Sequence, residues 1–192
     1  TIVDSIISSG IYRSYRLYMP ASYTGNTAYP LVFDLHGYTS NASSEQLYSN
    51  FMPIADTAHF LIVYPQGTTL AGQTYWNAGQ GGANDVQFIS ELIDTLKSSY
   101  NIDVNSIYSC GMSNGGYMSH TLACTLNDKI AAIASVTGSM FTAQYATCNP
   151  NKAVPVMQIS GTGDATVPYS GSVGTLHIDT VVKYWVINNN CS

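Results

Sequence analysis

At 192 residues the chain can bury roughly 70% of its unfolded surface around one core, so a single domain, 1–192, is expected without a metal or disulfide lattice to hold it. Charged residues make up 9%, and the net charge of −5 comes with no basic stripe for phosphates, which argues against nucleic acid as a partner. Mean hydropathy is close to zero and no run of about 18 apolar residues occurs, so a membrane span is not expected either.

Uncharged polar residues and 15 tyrosines take the place of the missing charge. Tyrosine offers rigid contact area with a hydrogen-bonding tip, suited to an insoluble or aromatic ligand, and it equally fills strands and half-buried surface. Four cysteines, Cys110, Cys124, Cys148 and Cys191, allow three fully paired connectivities, among which the sequence does not choose. The chain begins at Thr1 with no charged-then-apolar leader, as expected of a mature secreted chain or of one trimmed in another way.

Tyr12 to Met19 roughly alternates polar and apolar residues and predicts an edge strand, ended by Pro20. Leu31 to Leu35 is a short apolar run of the kind that is buried on both faces of a sheet, and His36-Gly37-Tyr38 follows at its C-terminal end. Ser43 and Gln46 form a capping-box pattern ahead of a helix with Leu47, Phe51, Ile54, Ala55 and Ala58 on one face, kinked near Pro53. Phe60 to Tyr64 predicts another strand. The glycine-rich, aperiodic stretch from Thr68 to Ala83 predicts a loop over the C-terminal edge of the sheet.

Asn84-Asp85 can cap a helix whose Val86, Phe88, Ile89, Leu92, Ile93 and Leu96 form one apolar face. An apolar strand then runs into Gly111-Met112-Ser113-Asn114-Gly115, and a helix extends to about Leu126. Ile130 to Val136 and Val154 to Ser160 read as strands, and a last helix carries Ile178, Val181, Val182 and Trp185 on one face. Strands alternating with helices describe an α/β domain with a mostly parallel sheet and helices on both faces, in which ligands bind at the C-terminal strand ends.

Gly-x-Ser-x-Gly between a strand and a helix reads as a nucleophile elbow, which lifts the Ser113 hydroxyl out of the top of the sheet on a strained turn; the alternative is a chance pattern in a loop. A serine hydroxyl needs a histidine to take its proton and a carboxylate to orient that histidine. Asp164, in the glycine-rich loop after the last strand, is the carboxylate that the chain order nominates, against the plainer reading of an Asx-turn aspartate. The backbone N–H groups of Asn114 and Tyr38 are the candidate oxyanion donors, which makes His36 a structural residue of its loop. Trp76 is expected near the substrate, overhanging the strand ends, the alternative being that it pins its loop to the body of the domain.

The chain resembles the secreted α/β-hydrolase esterases grouped with polyhydroxybutyrate depolymerases and feruloyl esterases. The resemblance covers nearly all of it and rests on Leu35-His36-Gly37, Val63-Tyr64-Pro65-Gln66-Gly67, Trp76-Asn77-Ala78-Gly79, Gly111-Met112-Ser113-Asn114-Gly115-Gly116, Leu122-Ala123-Cys124 and Asp164-Ala165-Thr166-Val167-Pro168-Tyr169. It implies an α/β-hydrolase fold, a secreted protein, and hydrolysis of carboxylic esters through an acyl-serine. It also implies no metal or organic cofactor, and substrates such as polyester chains or hydroxycinnamate esters. It further implies a disulfide between Cys124 and Cys148. Cys110, flanked by strand and elbow, reads as a buried free thiol, and Cys191 as half of a bond whose partner is expected downstream of this sequence.

One departure matters. Members of the family carry the catalytic histidine on a further strand and a glycine-rich loop beyond the helix that here ends near Cys191, and this sequence stops before that segment. His36, His59 and His120 precede Asp164; His177 alone follows it, near a helix start. The expectation is therefore an elbow, an oxyanion loop and an aspartate without a well-placed base. His177 is the fallback candidate, and a relative that binds esters without turnover is the alternative function.

Overall fold

The computed structural model describes residues 1–191. Two antiparallel strands, β1 (Ile2–Ser8) and β2 (Ile11–Tyr18), open the chain and are joined by a tight turn in which Ser9 and Gly10 both take positive φ. Then follow β3 (Tyr29–Leu35), α1 (Ala42–Ser49), α2 (Met52–Ala58), β4 (Leu61–Pro65) and the hairpin of β5 (Thr68–Leu70) and β6 (Gln73–Tyr75). The second half runs α3 (Asp85–Ser99), β7 (Ile102–Met112), α4 (Asn114–Thr125), β8 (Ala132–Val136), α5 (Thr142–Thr147), β9 (Val156–Ile159) and α6 (Ile178–Asn188).

Seven strands form one sheet in the order β1-β2-β4-β3-β7-β8-β9, with β1, β2 and β4 paired antiparallel and the rest parallel. The chain thus reverses direction of travel across the sheet after β3, and the ends of β3 and β7, which pair directly, mark the switch point where ligands bind in such sheets. On one face Leu31, Phe33, Ile107, Phe88, Ile89, Leu92, Ile93, Met118 and Leu122 are all removed from solvent, packing α3 and α4 onto the strands. Burial at about 25 cal/mol per Å² of apolar surface makes this cluster the main source of stability. The other face is covered by α1 and α2 over β3 and β4, whereas over β7 to β9 it is open and leaves Met157 60% and Ile159 49% exposed.

Several elements differ from the sequence-based expectation. The strand expected at the sheet edge is β2, and β1 lies outside it. Residues of β1 are exposed almost throughout, so the segment carries no clean alternation to read. The helix expected to kink at Pro53 is two helices: Asn50 takes the left-handed conformation (φ 48°) and ends α1, while Pro53 sits in the first turn of α2, where its missing N–H costs nothing. Asn41, not Ser43, caps α1 by accepting from the Ser44 N–H at 2.9 Å. The stretch Thr68 to Ala83 contains the β5-β6 hairpin, and α5 was not anticipated.

Candidate active site

The elbow forms where the sequence placed it. Ser113 holds φ 53° and ψ −117°, a backbone state far from the ordinary wells and sustained only when the surroundings enforce it. They do so through close packing. A Cβ on Gly115 would run into the Leu35 carbonyl, and one on Gly111 would lie 2.6 Å from the same oxygen, so only glycine lets β3, β7 and α4 approach this closely. The Ser113 N–H donates to the Val136 carbonyl at 2.8 Å, which ties the turn to the end of β8.

Three strand ends bring the remaining groups to the same edge. Gly37, after β3, lies against the elbow: a Cβ there would be 3.4 Å from the Met112 side chain and 3.8 Å from Ser113 Cβ. Ser113, Asn114 and Tyr38 line a cleft of about 420 Å³ with Tyr75, Tyr117, Leu70 and the loop at Gln80-Gly81. Among the described residues neither the Tyr38 N–H nor the Asn114 N–H has a partner within the protein; Asn114 opens α4, whose first N–H groups lack intrahelical acceptors. Two unpaired donors beside a serine hydroxyl are what an oxyanion would need.

Asp164 follows β9. Its Oδ1 accepts the N–H groups of Val167 at 2.9 Å and Thr166 at 2.8 Å, and these bonds hold the carboxyl below the usual range. The group is thus an Asx-type staple of its loop and an ionised carboxylate at once. The Tyr117 hydroxyl is pushed up chiefly by burial, and the negative charge of Asp164 acts in the same direction; Asp164 itself does not line the cleft.

The histidines serve structure. His36 is fully buried. Its Nδ1 lies 2.8 Å from the Gly37 carbonyl and its Nε2 accepts from the Gly67 N–H at 3.0 Å, which fixes the Nδ1–H tautomer; burial lowers its pKa. His120, also fully buried, accepts from Trp185 Nε1 at 3.1 Å and donates through Nε2 to Gln158 at 2.9 Å; burial lowers its pKa to about 4. His59 ends α2 in the left-handed conformation, and its Nδ1 lies 3.2 Å from Ser22 Oγ. His177, the fallback base, is the N-cap of α6: its Nδ1 accepts from the Asp179 N–H at 3.1 Å, its ring meets Tyr169 edge-on, and it does not line the cleft.

Trp76 requires a correction. Of its two readings, the one beside the substrate is not what the structure shows, since the side chain is fully buried and pins its loop to the body of the domain. Its indole donates to the His36 carbonyl at 2.9 Å and its ring packs 5.0 Å from the His36 ring. The loop does overhang the site; the tryptophan points inward because its large apolar surface and single donor are both satisfied there.

Sequence reading also missed an anchor beneath this loop. Arg13 and Asp85 form a fully buried ion pair, Arg13 lies 4.0 Å over the Phe88 ring, and Asp85 accepts the Asn77 N–H at 2.7 Å. The signal for Asn77 itself was present, since Asn before Ala-Gly favours an Asx turn; its Oδ1 accepts from Gly79, Gln80 and Gly81. Nothing local pairs Arg13 with Asp85 across 72 positions. Among the described residues no group of three or more His, Cys, Asp or Glu side chains could hold a metal ion. Cys124 and Cys148 are joined by a disulfide, while Cys110 and Cys191 are free.

Residues 13–173 match the family model described as esterase PHB depolymerase. The chain belongs to that family. Similar relatives include a bifunctional acetylxylan esterase/xylanase of Neocallimastix patriciarum, 32% identical over 92% of this chain and 25% of its own length. Feruloyl esterase B of Piromyces equi is 28% identical over 89% of this chain and 33% of its own length. Among solved structures, a thermostable esterase superposes with a TM-score of 0.77 at 22% identity, over 98% of this chain and 52% of that one, which shows the α/β-hydrolase fold. The chain thus spans between a quarter and about half of the length of these proteins.

Proposed function

We propose that this member of the esterase PHB depolymerase family is built to hydrolyse carboxylic esters through an acyl-serine. Ser113 Oγ attacks the ester carbonyl carbon, and the carbonyl oxygen takes the electron pair facing the N–H groups of Tyr38 and Asn114. The alcohol leaves with a proton, and water then releases the acid and restores the serine. The observation that carries this reading is the Ser113 turn, held at φ 53° by glycine contacts and set beside two unpaired N–H groups in one cleft. Asp164 is the carboxylate that would orient a histidine. That histidine is the part these residues do not place: none of the four lines the cleft.

For substrates we infer hydroxycinnamate or polyester chains. Tyr38, Tyr75, Tyr117 and Leu70 give the cleft apolar, largely aromatic walls without a charged side chain, and Tyr38 and Leu70 remain over half exposed at its rim. Acetylxylan and feruloyl esterases among the relatives support an ester but not one particular acid. The Cys124–Cys148 bond supports an oxidising, secreted setting.

A second reading, binding of such esters without turnover, is favoured by the lack of a histidine at the cleft. Turnover of p-nitrophenyl butyrate before and after treatment with a serine-directed phosphonate separates the two. Slow turnover that the phosphonate removes supports the hydrolase, and none at all in the folded chain leaves the binding reading. Because His177 caps α6, His177→Ala is expected to leave any turnover unchanged; collapse of activity with intact circular dichroism would make it the base after all.

A further inference from the structure

The strongest unassigned feature beside the site is a set of hydrogen bonds converging on the residue that sequence reading aimed at the substrate. Trp76 and Asn114, 38 positions apart, pair through two bonds. The Trp76 N–H donates to Asn114 Oδ1 at 2.6 Å, and Asn114 Nδ2 donates back to the Trp76 carbonyl at 3.0 Å. A carboxamide that reads a backbone unit in this way is fixed in rotamer and in amide orientation at once. Asn114 also lines the cleft, and its own N–H has no partner within the protein among the described residues.

The same tryptophan reaches the other donor. Trp76 Nε1 holds the His36 carbonyl at 2.9 Å, and the two rings pack together. His36 in turn donates from Nδ1 to the Gly37 carbonyl at 2.8 Å, while its Nε2 is held by the Gly67 N–H. The peptide unit between Gly37 and Tyr38 is planar and trans, so fixing its C=O toward His36 aims its N–H in the opposite direction. That N–H belongs to Tyr38, and it is left without a partner beside Ser113. The tryptophan is anchored from below, since the next residue's N–H is held by Asp85 and Asp85 by Arg13.

We propose that Trp76 is the positioning residue of the oxyanion site, setting the Asn114 N–H through the carboxamide pair and the Tyr38 N–H through His36. It touches no substrate. The proposal rests on the serine-esterase reading of the cleft, because aimed N–H groups matter only if charge develops between them. Preorganised donors act on the transition state more than on the bound ligand, so loosening them should slow the chemical step and spare binding.

Trp76→Phe tests this, since it keeps most of the ring and the backbone pair with Asn114 but removes the donor to His36. Asn114→Ala is the second variant; it opens the carboxamide pair and keeps the Asn114 N–H. In each, the rate of Ser113 phosphonylation by a p-nitrophenyl phosphonate is measured as a maximal rate and a half-saturating concentration. Amide resonances are followed by 15N–1H NMR in the same samples. The expected result is a fall of about tenfold or more in the maximal rate with the half-saturating concentration within about twofold, below the loss for outright removal of a donor. It should be accompanied by shifted or broadened amides at Tyr38 in Trp76→Phe and at Asn114 in Asn114→Ala. Unmoved amides, or moved amides with an unchanged maximal rate, would overturn the proposal, as would a loss confined to the half-saturating concentration. Should one variant fail to fold, the other decides. If the unsubstituted chain shows neither phosphonylation nor turnover, the esterase reading itself has failed, which is distinct from a labelled parent whose variants react equally fast.

Discussion

Ser113 holds its unusual backbone only because neighbouring positions surrender their side chains. Gly115→Ala would drive a Cβ into the Leu35 carbonyl and the start of the His36 loop. Overpacking of this kind against backbone, which cannot swing aside, should cost about 3 kcal/mol. Gly163→Ala, with nothing within 4 Å of the added carbon, should cost far less; urea midpoints of the two variants check the contrast. A second residue-scale effect follows from buried titratable groups. His120 is neutral in the fold, with its pKa lowered from 6.5 to about 4 by burial, so the unfolded chain takes up the proton first. Its stabilisation is complete above pH 6.5 and is lost as pH falls toward 4, on the order of 3 kcal/mol. Asp34 and Glu45 act in the opposite sense. Burial raises them from 3.8 to about 6 and from 4.5 to about 7, and Asp34 keeps one oxygen without a partner, so each weakens the fold as pH rises from the lower value to the higher. Asp34→Asn should therefore match the parent near pH 3.5 and exceed it in stability at pH 8, while His120→Gln should flatten the acid limb. Urea titrations across pH read both, and equal pH profiles in parent and variants would contradict this assignment.

At the scale of elements, the disulfide is the clearest device. It joins the last turn of α4 to the end of α5, and the Tyr184 hydroxyl of α6 donates to the Cys148 carbonyl at 2.9 Å, so three helices meet there. In the chain-entropy account a ring of this size contributes roughly 3 kcal/mol. The double variant Cys124→Ala/Cys148→Ala should lose about that much in denaturant titrations, and an unchanged midpoint would contradict it. Elements with an uninterrupted apolar period were legible from sequence alone: β3 and β4 as apolar runs, α3 as a one-faced helix, and α4 by its place after the elbow. Those that escaped are short or exposed. The segments β5 and β6 have three residues each, α5 has six, and β1 turns most of its side chains to solvent. Such segments owe their shape to what they pair with, and pairing leaves little local trace.

For the whole molecule, the parallel half of the sheet brings the ends of β3, β7 and β9 to one edge, which is why Tyr38, Ser113 and Asp164 could be nominated from a sequence. The network that supports them could not. Trp76, Asn114, His36, Asp85 and Arg13 come from five segments, and only the folded topology decides between the two readings of the tryptophan, which bonds to the His36 carbonyl and to Asn114. None of the four histidines lines the cleft, and a serine without a histidine beside it reacts more slowly by several orders of magnitude while still outpacing water. The central claim, that Ser113 is the nucleophile of an ester-hydrolysing cleft, is tested most directly by mapping a p-nitrophenyl phosphonate adduct by mass spectrometry in the parent and in Ser113→Ala. The account predicts slow, saturable modification on the peptide containing Ser113 and none in the variant; an unmodified Ser113 in folded protein, or equal modification of the variant, would contradict it.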